Sequence, residues 1–147
     1  MDKKILDQFE NIFEELGDLH GASYFSVFKK SNDGSILNSY NSNKYWEKLY
    51  FSDKLSIHCP LMKLGRHLEP ERISQHIINW DNVKASTMEE LNVVEARADF
   101  NINSGYSFLD TFNGDKNLVT IAFKDKNIHH SKLQEIYDRI KIINSLK

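Results

Sequence analysis

The sequence holds few residues that staple, break or loosen a chain: one cysteine, two prolines and six glycines in 147 residues. A single thiol excludes an internal disulfide and any cysteine-rich zinc module, and it fits a reducing compartment. Neither charge sign prevails. Nineteen Lys and Arg stand against 21 Asp and Glu, a net charge of −2, which argues against a surface built mainly to hold nucleic acid or anionic lipid. No apolar run reaches membrane-spanning length, and the opening MDKKILDQFENIF is interrupted by charge every few residues, unlike a secretory signal. These absences leave a cytoplasmic protein of one domain, residues 1–147, large enough to bury about two-thirds of its unfolded surface.

Signatures of catalysis are equally scarce. The glycines are scattered, with no phosphate loop, no dinucleotide fingerprint and no Gly-x-Ser-x-Gly turn. Of the six histidines, His58 adjoins Cys59, and on a helix neighbouring side chains diverge by about 100° and do not easily share a metal. His67 and Glu71 are separated by Pro70, while His129 and His130 sit beside Lys126 and Lys132 as a solvated helix start. HExxH, CxxC and HxH are missing. No catalytic residue, metal or cofactor is expected.

What is present is clear periodicity. Ile5, Phe9, Ile12, Phe13, Leu16 and Leu19 recur at three- and four-residue steps, which predicts an amphipathic helix ended by Gly17 or Gly21. Residues 23–29 and 35–40 flank the turn signal Ser31-Asn32-Asp33-Gly34 and read as a hairpin. A helix over 44–51 and another over 58–68 follow, with Pro60 tolerated in the first turn. Beyond Pro70, residues 73–80 fit either a strand or a loop. Thr87 and Glu90 have capping-box spacing and open a helix through Ala98. Strands at 104–112 and 118–123 enclose Asn113-Gly114, and a helix from about 131 closes the chain. The pattern predicts an α+β domain, an antiparallel sheet between helices.

Aromatic residues leave two readings open. Tyr45, Trp46, Tyr50, Trp80, Tyr106 and Phe108 suit either an ordinary core or an apolar pocket with a few aimed hydrogen bonds, because each buried Trp or Tyr brings one polar atom that needs a partner.

The order of these landmarks carries more than their composition. Along the chain stand Trp46, Tyr50, Cys59-Pro60-Leu61, Ile77-Ile78-Asn79-Trp80, Glu95-Ala96, Gly105-Tyr106-Ser107 and the segment 117–123. This order resembles the autoinducer-binding domain of LuxR-type quorum-sensing regulators over almost the whole chain. The resemblance implies an α-β-α sandwich, GAF- or PAS-like, with a five-stranded antiparallel sheet and helices on both faces. It also implies a small-molecule signal held between sheet and helices, an acyl-homoserine lactone or another small amphipathic molecule. Trp46 would bond the lactone carbonyl, Tyr50 the acyl carbonyl, Trp80 would pack on the head group, and Gly105 would let backbone layers approach. With Cys59 and Tyr106, these are the expected ligand-binding residues.

Cys59 departs from that pattern, which has an acid before the proline. A thiol is a weak acceptor, a loss of about 1–3 kcal/mol at a desolvated site. Restoring the acid by Cys59→Asp is therefore expected to favour a lactone amide, and to cost apo stability if the carboxylate is buried unpaired. No helix-turn-helix segment is evident, so direct DNA binding is not expected. A homodimer, or a heterodimer with a full-length LuxR-type regulator, is the implied assembly. The alternatives are a ligand-independent dimerisation or antagonist domain, marked by a pocket region filled with Tyr106, Phe108 and the aromatic helix, and an enzyme on the same scaffold.

Overall fold

A computed structural model describes residues 2–52, 55–67, 75–112, 114–124 and 130–144. Pro70, Glu71, Ile73, Asn113, Lys126 and His129 lie outside them. The first helix, α1, spans Lys3–His20. Asp2 caps it by accepting from the backbone N–H of Lys4 at 2.7 Å, and the chain leaves it at Gly21, whose φ of 69° is left-handed. Gly17 is passed within the helix, and Gly21 is the stop. Ile5, Phe9, Ile12 and Leu16 are buried, while Leu19 in the last turn is 65% exposed.

Strands β1 (Ala22–Lys30) and β2 (Ile36–Asn41) form the hairpin expected around 31–34, followed by α2 (Lys44–Ser52). The helix expected over 58–68 is divided. A 3-10 turn at Leu55–His58 precedes α3 (Pro60–His67), and Cys59 between them accepts the first helical bond, Lys63 N–H to Cys59 C=O at 2.9 Å. Proline at the first helical position leaves no N–H to satisfy, which fixes the break there. The ambiguous segment before Trp80 contains strand β3 (Gln75–Asn79), and α4 (Met88–Asp99) follows. Its cap is shifted from the usual box: Thr87 Oγ1 accepts from Glu90 N–H, but the Glu90 carboxylate accepts from the N–H and hydroxyl of Ser86.

β4 (Gly105–Phe112) and β5 (Asp115–Phe123) complete the sheet, and α5 (His130–Asn144) ends the chain. β5 begins three residues before the apolar pattern does, because Asp115, Lys116 and Asn117 pair with Phe112, Thr111 and Asp110 despite their polarity. The sheet is antiparallel throughout, in the order β2-β1-β5-β4-β3.

Alternation along the strands gives the sheet two different faces. One carries Phe25, Val27, Phe108, Val119, Ile121 and Phe123, packed under α1 and α5 through Phe9, Ile12, Leu133, Tyr137 and Ile140. Phe108 stacks on Tyr137 at 4.9 Å between centroids, and the Tyr137 hydroxyl donates to the buried carboxylate of Asp110 at 2.6 Å, with Lys141 3.4 Å from the same oxygen. The opposite face carries Tyr24 and Ala122 under Trp46, Trp80 and Ile102, with Leu49, Tyr50, Leu55, Leu61, Ala96 and Phe100 around them. Helices thus cover both faces of a five-stranded sheet.

Candidate functional site

On the second face several strand residues are small, between larger ones such as Tyr24, Phe28 and Leu118. Ser26, Thr120 and Ser107 lie side by side across β1, β5 and β4, and Ala122 pairs with Gly105. Small residues cannot reach the helices above them, so space remains. A cavity of about 90 Å³ lies there, with Trp46 and Tyr50 of α2, Cys59, Leu61 and Met62 at the start of α3, Trp80, and Val93 and Arg97 of α4 in its walls. A second, wider cavity of about 390 Å³ lies under the 31–34 turn and shares Phe28, Leu61, Met62 and Leu118 with the first.

Each wall is positioned by local structure. Four residues apart on α2, Trp46 and Tyr50 stand on one helical face with ring centroids 5.3 Å apart. Asn43 holds the start of α2 by accepting from Trp46 N–H at 3.0 Å. Trp80 is fixed twice: its indole N–H donates to Ser107 Oγ at 2.9 Å, and its ring lies over Gly105. A Cβ at position 105 would stand 2.7 Å from the Ile121 carbonyl oxygen and 2.8 Å from the Trp80 ring. The ion pair Lys63–Glu90, 3.5 Å, ties α3 to α4 above the cavity, and hydrogen bonds from Ser86 hold the Glu90 carboxyl down to about 2.

Electrostatically the cavity is a set of donors around one cation. Burial, and then the adjacent Cys59 thiol, push the Tyr50 hydroxyl well above its ordinary value, so it stays protonated and able to donate. Burial likewise pushes Tyr24 up to about 12, with its oxygen accepting from Asn41 Nδ2 at 2.6 Å. The guanidinium of Arg97 lies 4.4 Å from the Trp80 ring centroid, a cation–π contact, and its buried Nε has no acceptor. Burial pulls Arg97 below its usual value, and the groups acting in the other direction are Cys59, Tyr50 and Tyr24, none a carboxylate. Glu47 does line the cavity, but Lys44 stands 3.7 Å from its carboxylate.

Of the residues singled out from the sequence, Trp46, Tyr50, Cys59 and Trp80 meet at this cavity, and Gly105 lies beneath Trp80. Tyr106 does not. One step along β4 from Gly105 and Ser107, it points through the sheet to the α1–α5 side, where its ring meets Phe123 at 6.3 Å. Phe108 shares that side, so neither ring fills the cavity. His58 is exposed and Cys59 buried. The residues missed from the sequence are Arg97, which reads as an ordinary charge on a helix, and Tyr24, Asn41 and Ser107, whose parity along the strands was the available signal. Among the described residues no group of three or more His, Cys, Asp or Glu gathers to hold a metal, and no helix is long and apolar enough to cross a membrane.

This architecture, a five-stranded antiparallel sheet with a cavity roofed by short helices, is the fold of the LuxR-family autoinducer-binding domain. SdiA in complex with octanoyl-rac-glycerol matches with a TM-score of 0.66 and 15% identity, over 97% of this chain and 57% of that one. CepR2 of Burkholderia cenocepacia, an N-acylhomoserine lactone dependent LuxR family transcription factor, matches with a TM-score of 0.56 and 10% identity, over 96% and 89% of the two chains. The LBD domain of VqsR from Pseudomonas aeruginosa matches with a TM-score of 0.52 and 14% identity, over 96% and 88%. The chain thus spans little more than half the length of that SdiA chain. No family model matches the sequence, and no curated protein does.

Proposed function

We propose that residues 1–147 form a cytoplasmic small-molecule sensing domain that holds an amphipathic ligand in the cavity between the sheet and α2–α4. The observation that carries this reading is the cavity itself, floored by Ser26, Thr120 and Ser107 and walled by polar-tipped aromatics and a half-buried cation. Buried polar groups need partners, and a ligand head group supplies them. Phe28, Leu61, Met62 and Leu118 give the ligand's apolar part a path toward the wider cavity. A ligand that binds only the native state stabilises it by about 2.7 kcal/mol at a hundredfold excess over Kd, enough to set the abundance of a marginal domain. In a regulator of this fold, that stabilisation would control pairing, with a second copy or with a full-length relative.

The test is equilibrium titration of the 147-residue chain with octanoyl-rac-glycerol and with N-octanoyl homoserine lactone, read by the fluorescence of its two tryptophans, both of which line the cavity. Saturable one-to-one binding of either, with a raised melting temperature, is the expected result. A ligand-independent dimerisation domain would bind neither and still associate.

A further inference from the structure

The cavity's charge says which kind of head group it takes. Arg97 brings a full positive charge to its wall, and among the described residues no carboxylate is paired with it. Glu47, the acidic residue that also lines the cavity, is engaged by Lys44. The other polar side chains near Arg97 are the Tyr50 and Tyr24 hydroxyls and the Cys59 thiol, all neutral when protonated. Arg97 is partly buried, with its Nε fully so; a desolvated charge without a counter-charge is costly, and Trp80 offsets only part of that cost. The guanidinium is also oriented. With Trp80 against it and Nε buried without an acceptor, it offers donors in the geometry that suits a planar carboxylate.

We infer that the ligand of this cavity is an anionic amphiphile, a medium- or long-chain carboxylic acid whose carboxylate pairs with Arg97 while its alkyl chain runs along Phe28, Leu61, Met62 and Leu118. The inference rests on the sensing-domain reading and narrows its ligand class. The smaller cavity, about 90 Å³, is the one Arg97 lines and suits a head group of few atoms, and the apolar residues shared with the 390 Å³ cavity set the direction of the tail. Lys30 and Lys116 line that wider cavity and define the reverse orientation, with the head at the mouth.

Decanoate and its methyl ester separate charge from shape, and N-octanoyl homoserine lactone serves as the neutral amide-bearing comparison. At pH 7, decanoate is expected to bind the wild-type chain about ten- to a hundredfold more tightly than methyl decanoate, the difference a charge-assisted pair supplies. Arg97→Gln is expected to abolish that preference, so that acid and ester bind the variant alike, and Arg97→Lys to restore part of it. Equal affinity of acid and ester for the wild type overturns the inference, and this comparison needs no variant to fold. So does loss of the preference in Lys116→Gln instead of Arg97→Gln, which puts the head at the mouth. If the lactone or ester binds and the acid does not, the ligand class is wrong and the sensing reading stands. If none of the three binds, both fail.

Discussion

The two faces of the sheet use alternate residues of the same strands, yet they do different work. Phe25, Val27, Phe108, Val119 and Ile121 fill one face and pack with α1 and α5 into one buried cluster. Ser26, Thr120 and Ser107 stop short of α2–α4 on the other, and the deficit is a cavity. The first face supplies the stability that lets the second remain incompletely filled, since burial of large apolar groups is the main favourable term in folding. A pocket of this kind is a property of residue parity: the same strand sequence shifted by one position would exchange core and cavity.

Substitutions on the two faces are expected to divide accordingly. The largest effect belongs to the filled face: Phe25→Ala, at a fully buried ring, is expected to cost about 3–5 kcal/mol in urea unfolding. Gly105→Ala acts on the other face through crowding, because its Cβ would meet the Ile121 carbonyl and the Trp80 ring within 3 Å. A loss of about 1–3 kcal/mol is expected, together with a shifted Trp80 emission that Phe25→Ala does not produce in the folded fraction. Tyr50→Phe removes one neutral donor from the wall. It is expected to weaken ligand binding by about 0.5–1.5 kcal/mol and to leave the apo melting temperature nearly unchanged.

Cys59→Asp sharpens the comparison because the structure changes its expected sign. The sequence alone gives a buried carboxylate without a partner, and hence a destabilised apo protein. Arg97, which lines the same cavity as Cys59, supplies that partner. Apo stability is now expected to change by less than about 1 kcal/mol, because pairing offsets desolvation, and calorimetry of the variant beside Arg97→Gln/Cys59→Asp checks it. The double variant, with the acid unpaired, is expected to melt lower than either single one.

Most of the fold was legible because it rests on period. The three- and four-residue spacing of Ile5, Phe9, Ile12 and Leu16, the turn at 31–34 and the cap at Thr87 are local signals, and each matches an element. The extra residues of β5 were not legible, since Asp115 to Asn117 become strand only through pairing with β4. Trp46, Tyr50, Cys59 and Trp80, singled out by their order along the chain, line one cavity. Tyr106 was misplaced because an aromatic beside a key glycine looks relevant while its parity sends it to the opposite face. Arg97 was invisible for the opposite reason. A helical arginine is usually solvated, and only the packing of α4 over Trp80 turns this one inward.

If the second face is hollow in order to hold a ligand, Ser26→Leu tests that role most directly. A leucine there fills the floor of the cavity without touching the α1–α5 core. Titration with octanoyl-rac-glycerol, read by tryptophan fluorescence beside apo melting curves, is expected to show saturable binding by the wild type. The variant is expected to melt within a few degrees of it and to bind at least tenfold more weakly. Equal binding by the two proteins, or binding of neither octanoyl-rac-glycerol nor decanoate by the wild type, would contradict that role.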